Sequence, residues 1–178
     1  MEDLRDKVER ERTLLKKIEL AIPGFRGYRK REDARNADRI LRDQLADKLR
    51  HIRDEFENVR KNIANAMELE LMGESGKIIN LMYEIEGKVR HAEGGYSPLV
   101  SDFKIDVDEI YKLYEWDLAL LDRIRSIEDK VQEAHSMAMQ RNWANMMDVF
   151  MEIEKELLEF RRIFDERIYA IANILVEG

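Results

Sequence analysis

Seven basic residues crowd the stretch from position 23 to 42: Arg26, Arg29, Lys30, Arg31, Arg35, Arg39 and Arg42. Only Glu32, Asp33 and Asp38 oppose them, so the stretch is +4 in a chain whose formal net charge is −7. Positions 31, 35, 39 and 42 keep the three- and four-residue spacing that places side chains on one face of a helix. Such a face works against its own helix. Like charges four apart each cost about 0.3 kcal/mol, and positive charge in a first turn opposes the helix dipole by up to ~1 kcal/mol. A local choice of this kind points to a tertiary partner or to a function.

Three chemistries fit the arginines. The first is a salt network with the acids of the first helix, Glu2, Asp3, Asp6, Glu9 and Glu11, if that helix folds back alongside. The second is an anion site, with arginines for phosphate and Phe25 and Tyr28 for base stacking. An acidic protein would bind nucleic acid only through such a patch, and weakly in salt. The third is contact with an anionic membrane surface, although the face lacks the wide apolar half that interfacial insertion needs.

Asp117 is the second residue whose position asks for chemistry. It lies four after Leu113 and three before Leu120, on the apolar face of its helix. A carboxylate there needs a partner, because burying it alone is expensive. An arginine from another helix is the natural one; a catalytic or ligand-binding carboxylate is the sharper reading.

Other signals lead to bland chemistry. "GESGKI" at positions 73–78 hints at a phosphate-binding loop, but that loop needs glycine where Leu71 stands and a hydroxyl where Ile78 stands. It reads as a helix–helix turn. His51, His91 and His135 lack a glutamate three residues before them, so the Glu-x-x-His pattern of di-iron bundles is absent. His51 and Glu55 share a face at a spacing of four, which is commoner as a surface pair than as two metal ligands. Trp116, Trp143 and the methionines read as packing. No metal and no cofactor is expected.

The elements that must position these residues are all helical. Charged residues make up 39% and hydrophobic ones 44% of 178 residues, with only 2 Pro and 8 Gly to interrupt helices. Cysteine is absent, which excludes disulfides, thiol catalysis and cysteine metal sites. The first residues are charged from position 2, unlike a signal peptide. No apolar run approaches the ~20 residues of a membrane span. A cytoplasmic protein is the expectation.

Apolar spacing marks five helices: residues 2–22, 28–72, 75–92, 106 onward and 142–176. Pro23-Gly24 ends the first. Ser75 is a candidate N-cap for the third, and Asp106 with Glu109 forms a capping box for the fourth. Residues 93–105, with Gly94-Gly95 and Ser97-Pro98, are irregular. The slip at Leu41-Leu45-Leu49 suggests a bend or a change of partner in the second helix. The fifth carries the cleanest stripe: Trp143, Met146, Phe150, Ile153, Leu157, Phe160, Phe164, Ile168, Ile171 and Leu175. The lengths predict a single-domain, all-α, elongated antiparallel bundle of five helices in four columns. The first and third would lie end to end along the long second helix.

Two stretches, "GFRGYRKREDARNADRILRDQLADKLR" and "GGYSPLVSDFKIDVDEIYKLYEWDLALLD", resemble a family of uncharacterised prokaryotic helical proteins. Its members share a GxRGY loop leading into an Arg-rich helix, and a GYxxLxDxxK-like loop before an LYExDxxLL helix. The similarity covers residues 23–122. It implies no activity. It does imply that Arg26, Gly27, Tyr28, Asp102, Lys104 and Asp117 belong to two recurrent segments, which could meet with Asp117 or Asp102 facing the arginines.

The candidate polar cluster, anion-binding or structural, is therefore Arg26, Tyr28, Arg29, Arg31, Arg35, Arg39, Asp102 and Asp117. The leading functional expectation is a non-enzymatic interaction or scaffold module with a protein partner or a second copy, including a dimer through the fifth helix. The alternative is phosphate or nucleic-acid binding through residues 26–42. An enzyme ranks third.

Overall fold

The computed structural model describes residues 4–28, 31–92 and 107–176, with side chains described for 6–28, 35–92 and 108–171. Five helices follow in order: α1 (Leu4–Ala21), α2 (Arg31–Asn65), α3 (Leu69–His91), α4 (Val107–Met139) and α5 (Met146–Val176). No strand occurs among the described residues. The all-α bundle expected from apolar spacing is present. The irregular 93–105 stretch and Asp106 of the capping box lie outside the described residues.

Polar side-chain pairs between helices give the helix directions. α2 and α3 are antiparallel, with Arg90 on Asp47 at 2.9 Å and Tyr83 on Glu57 at 3.3 Å. α4 and α5 are antiparallel, with Arg123 on Glu156 at 2.9 Å and Lys130 on Glu152 at 2.5 Å. α3 and α5 run in the same direction, tied by Arg161–Glu84 at 3.1 Å and Lys88–Asp165 at 2.6 Å. α2 packs on α4, and a four-helix square of α2, α3, α5 and α4 results. Exposed pairs of this kind orient more than they stabilise. The core is the stack of apolar side chains inside the square, with Phe56 and Phe150 meeting edge to face at 5.2 Å. Leu41, Leu45 and Leu49, where the spacing slips, are all buried within uninterrupted α2.

Two expectations about the elements are corrected. α1 packs against α4 rather than along α2, with Lys7 on Asp108 at 3.0 Å. The cause is the linker after α1. Pro23 and Gly24 (φ 85°) end the helix, and Phe25 and Tyr28 then plunge into the core beside Tyr114 of α4. The second correction is the α2–α3 turn, which falls at residues 66–68 rather than at "GESGKI". Met67 takes the left-handed conformation (φ 60°). Its N–H donates to Ala64 O at 3.0 Å, and that of Glu68 donates to Ile63 O at 3.3 Å. This is a Schellman closure made without glycine. Gly73 and Gly76 lie inside α3, and Ser75 is no N-cap: it is buried and donates to Met72 O at 3.0 Å. The α4–α5 turn repeats the geometry at Arg141 (φ 54°), with Asn142 N–H on Met137 O at 2.9 Å. Asn62 Nδ2 lies 3.9 Å from Met139 Sδ, so both turns close the same end of the bundle.

Candidate functional site: a buried charged layer

At the opposite end the inward seams of three helices change from apolar to charged within one layer. On α2 the buried residues Leu45 and Leu41 are followed, three positions further back, by Asp38. On α4 the buried run from Leu120 to Leu113 contains Asp117. On α5 the alternation Met146, Phe150, Ile153, Leu157, Phe160, Phe164 continues by three to Arg167. Arg167 and Asp117 are 0% exposed and Asp38 is 1% exposed. Leaving any one of them unpaired would cost several kcal/mol, on the order of 3–5.

None is unpaired. Arg167 Nε donates to Asp117 Oδ1 at 2.5 Å, Nη1 to Asp38 Oδ1 at 2.6 Å and Nη2 to the Tyr28 hydroxyl at 2.8 Å. Tyr28 passes its own proton to a hydrogen bond with Asp117 Oδ2. Arg42 Nε donates to Asp38 Oδ2 at 2.9 Å, and its Nη1 reaches Arg90 O at 3.2 Å near the end of α3. Two guanidinium groups face two carboxylates, and every carboxylate oxygen has a donor. The layer is neutral as a whole and ties together the linker, α2, α3, α4 and α5.

The linker is seated by close packing. The Tyr28 backbone N–H donates to the Tyr114 hydroxyl at 3.3 Å, and the two rings lie 5.4 Å apart. Gly27 (φ 86°) is where the chain passes that hydroxyl. A β-carbon there would collide with Tyr114 Oη and come within 3.3 Å of Leu15 Cδ1.

Burial and charge then set the protonation states. Burial drives the Tyr28 phenol well above its ordinary value; Arg167 opposes this, and Asp117 and Asp38 reinforce it. Burial also pushes Asp38 up, but the charge and hydrogen bonds of Arg167 and Arg42 outweigh it and hold that carboxyl low. Asp117 sits above the ordinary carboxylate value because burial dominates, against Arg167 and the Tyr28 hydrogen bond. Burial alone would lower Arg167, but Asp117, Tyr28 and Asp38 keep it firmly protonated. Chemically this is a buried network in which every carboxylate oxygen is satisfied.

The structure sorts the sequence candidates. Tyr28 and Asp117 come together at the centre. Arg26 and Arg39 are exposed, with Arg39 donating to Asn36 at 3.1 Å. Arg35 is half-buried. Arg29, the Arg31 side chain, Asp102 and Lys104 lie outside the described residues. The arginine face is thus split: Arg42 turns inward, whereas Arg39 does not. Glu11 of α1 is buried. Sequence reasoning missed Arg167 as a site residue and treated Asp38 only as an opposing charge. A strict continuation of the four-three alternation on α5 lands on Arg167, not on Ile168, and would have found it.

Among the described residues no group of three or more His, Asp or Glu side chains could hold a metal ion, and no helix is long and apolar enough to cross a membrane. Compared with known proteins, no family model, no curated protein and no solved structure matches the chain.

Proposed function

We propose that the chain is a cytoplasmic protein–protein interaction module whose contact surface is the turn end of the bundle. One observation carries this reading. Met67, Leu69 and Met139 stand 82%, 76% and 66% exposed around the two left-handed turns. Glycine or asparagine would close such a turn with less strain and no apolar exposure. Methionine there costs about 1 kcal/mol of backbone energy and leaves a thioether in water. Methionine is unbranched and polarizable, and it suits surfaces that adapt to an apolar partner. The charged layer at the other end supports the same reading, because a buried network with every carboxylate oxygen occupied offers a ligand nothing to bind.

The test is site-specific photo-crosslinking in cells. A photoreactive residue replacing Met67 is expected to give discrete protein adducts that Leu69→Asp removes. The same residue replacing exposed His51, on the side of α2, is the reference. Identical adduct patterns from the two positions would overturn the reading.

Of the basic side chains of residues 26–42 that the structure describes, the phosphate-binding alternative keeps exposed Arg26 and Arg39, since Arg42 is engaged inside, as is Tyr28.

A further inference from the structure

Along its outward face α5 carries a second seam that the core does not use. Met151, Lys155, Leu158, Arg162, Asp165 and Tyr169 follow one another at spacings of four, three, four, three and four, the repeat of a coiled coil. All six are exposed, with Met151, Leu158 and Tyr169 at 62%, 39% and 71%. The inner stripe of α5, the obvious candidate for a helical dimer, is buried against the other helices of the same chain. A dimer through this helix therefore has only the outer seam.

The order of residue types on that seam is self-complementary in one direction. Run two copies antiparallel about a two-fold axis at position 160. Met151 then faces Tyr169 of the second copy, a favourable sulfur–aromatic pairing. Lys155 faces Asp165 of the second copy, and Leu158 lies under the aliphatic stem of its Arg162. A parallel pairing would instead stack lysine on lysine, arginine on arginine and aspartate on aspartate. The glutamates along one edge do not oppose the antiparallel arrangement strongly, because cations of their own chain hold them. Lys130 reaches Glu152 at 2.5 Å, and Arg162 reaches Glu159 at 2.7 Å and Glu166 at 2.5 Å. Asp165 shares Lys88 in an exposed pair that yields readily to a second cation.

We propose that the outward seam of α5 is a homodimer interface in which two copies of this chain pair antiparallel through Met151, Lys155, Leu158, Arg162, Asp165 and Tyr169. This surface is separate from the turn end, so the two readings stand or fall independently. The seam spans about 27 Å, and an interface this small belongs with weak, reversible associations.

Sedimentation equilibrium of the full chain is expected to show a reversible monomer–dimer equilibrium. Lys155→Asp puts carboxylate against carboxylate in both charged layers and should weaken association about tenfold or more. Adding Asp165→Lys to the same chain should restore it. The chain has no cysteine, so register can be read by oxidation. An equimolar mixture of M151C and Y169C chains should give a disulfide-linked heterodimer, and neither variant alone should crosslink. Self-crosslinking of each variant alone would establish parallel pairing and overturn the proposal. So would a monomer at every concentration up to about 1 mM, or a dimer that Leu69→Asp abolishes and Lys155→Asp leaves intact. That last outcome would move self-association to the turn end and leave the interaction-module reading in place.

Discussion

Towards one end of the bundle α2, α4 and α5 interrupt their shared core with Asp38, Asp117 and Arg167, each buried and each hydrogen-bonded. About 40 Å away along α2, the same core is closed by turns that expose Met67, Leu69 and Met139. The first end hides charge and the second displays apolar surface, the reverse of what each side chain prefers alone. The two ends differ in what they demand of the helices. The charged layer matches only when three helices and the linker are in one register. A slip of one seam position would strand a carboxylate in the core, so the layer selects that register whatever its net contribution to stability. The turn end imposes no such condition, because among the described residues no buried ion pair lies there, and it can accommodate change.

The largest expected effect separates the ends directly. Arg167→Met fills the volume but strands Asp38 and Asp117, and should cost about 3–5 kcal/mol. Leu69→Asp at the turn end should change stability by about 0.5 kcal/mol or less. Urea unfolding of both variants beside the wild-type chain measures the contrast. A loss of less than about 1 kcal/mol for Arg167→Met would mean the layer is not the buried network described.

Much of this contrast could be read from the sequence, and the parts that could not have physical causes. Five helices, their broad extents and the inward position of Asp117 follow from three- and four-residue spacing, because burial enforces that period on every seam. The need of Asp117 for an arginine from another helix follows from its burial alone. Which arginine does not follow, since spacing along one helix carries no information about its neighbours. The crowd at positions 26–42 drew attention to itself, whereas the partner was a single arginine, Arg167, 125 residues beyond Arg42. The α2–α3 turn was misplaced because glycine is the usual residue at a left-handed position, and Gly73 was nearby. The chain closes at Met67 instead and keeps Gly73 and Gly76 helical. The neighbour of α1 depended on Phe25, Gly27 and Tyr28 fitting under Tyr114, a matter of shape that periodicity does not encode.

A smaller effect sharpens the account of the charged end. Tyr28→Phe keeps the ring packed between Phe25 and Tyr114 but removes the hydroxyl that links Arg167 to Asp117. The expected loss near neutral pH is about 1–3 kcal/mol. The pH dependence distinguishes this from simple packing damage. The phenol is held well above its ordinary ionisation range in the folded chain, and it returns to about 10 when unfolded. Its contribution is therefore complete below pH ~10 and is lost as pH rises from there through the higher folded value. Wild-type stability should fall more steeply than that of Tyr28→Phe between pH ~10 and pH ~11.5. Parallel curves would mean that Tyr28 ionises as freely in the folded chain as in the unfolded one.

The smallest expected effect lies at the other end and has the opposite sign. Met67 at φ 60° occupies a conformation that glycine adopts without strain. Its side chain is largely in water, so its removal gives up little burial. Met67→Gly should therefore stabilise the chain by about 0.5–1 kcal/mol, set by relief of the left-handed conformation less the added entropy of the unfolded glycine. At the charged end a comparable change at Gly27, with φ 86° and Tyr114 Oη in the way, can only cost stability. On the proposed reading, a methionine kept where glycine would be more stable has a role outside folding. A gain in melting temperature for Met67→Gly, together with loss of the adducts formed by a photoreactive residue placed at Met139, would place that role at the turn end. Destabilisation by Met67→Gly would return the residue to an ordinary structural one and remove the main physical support for contact there.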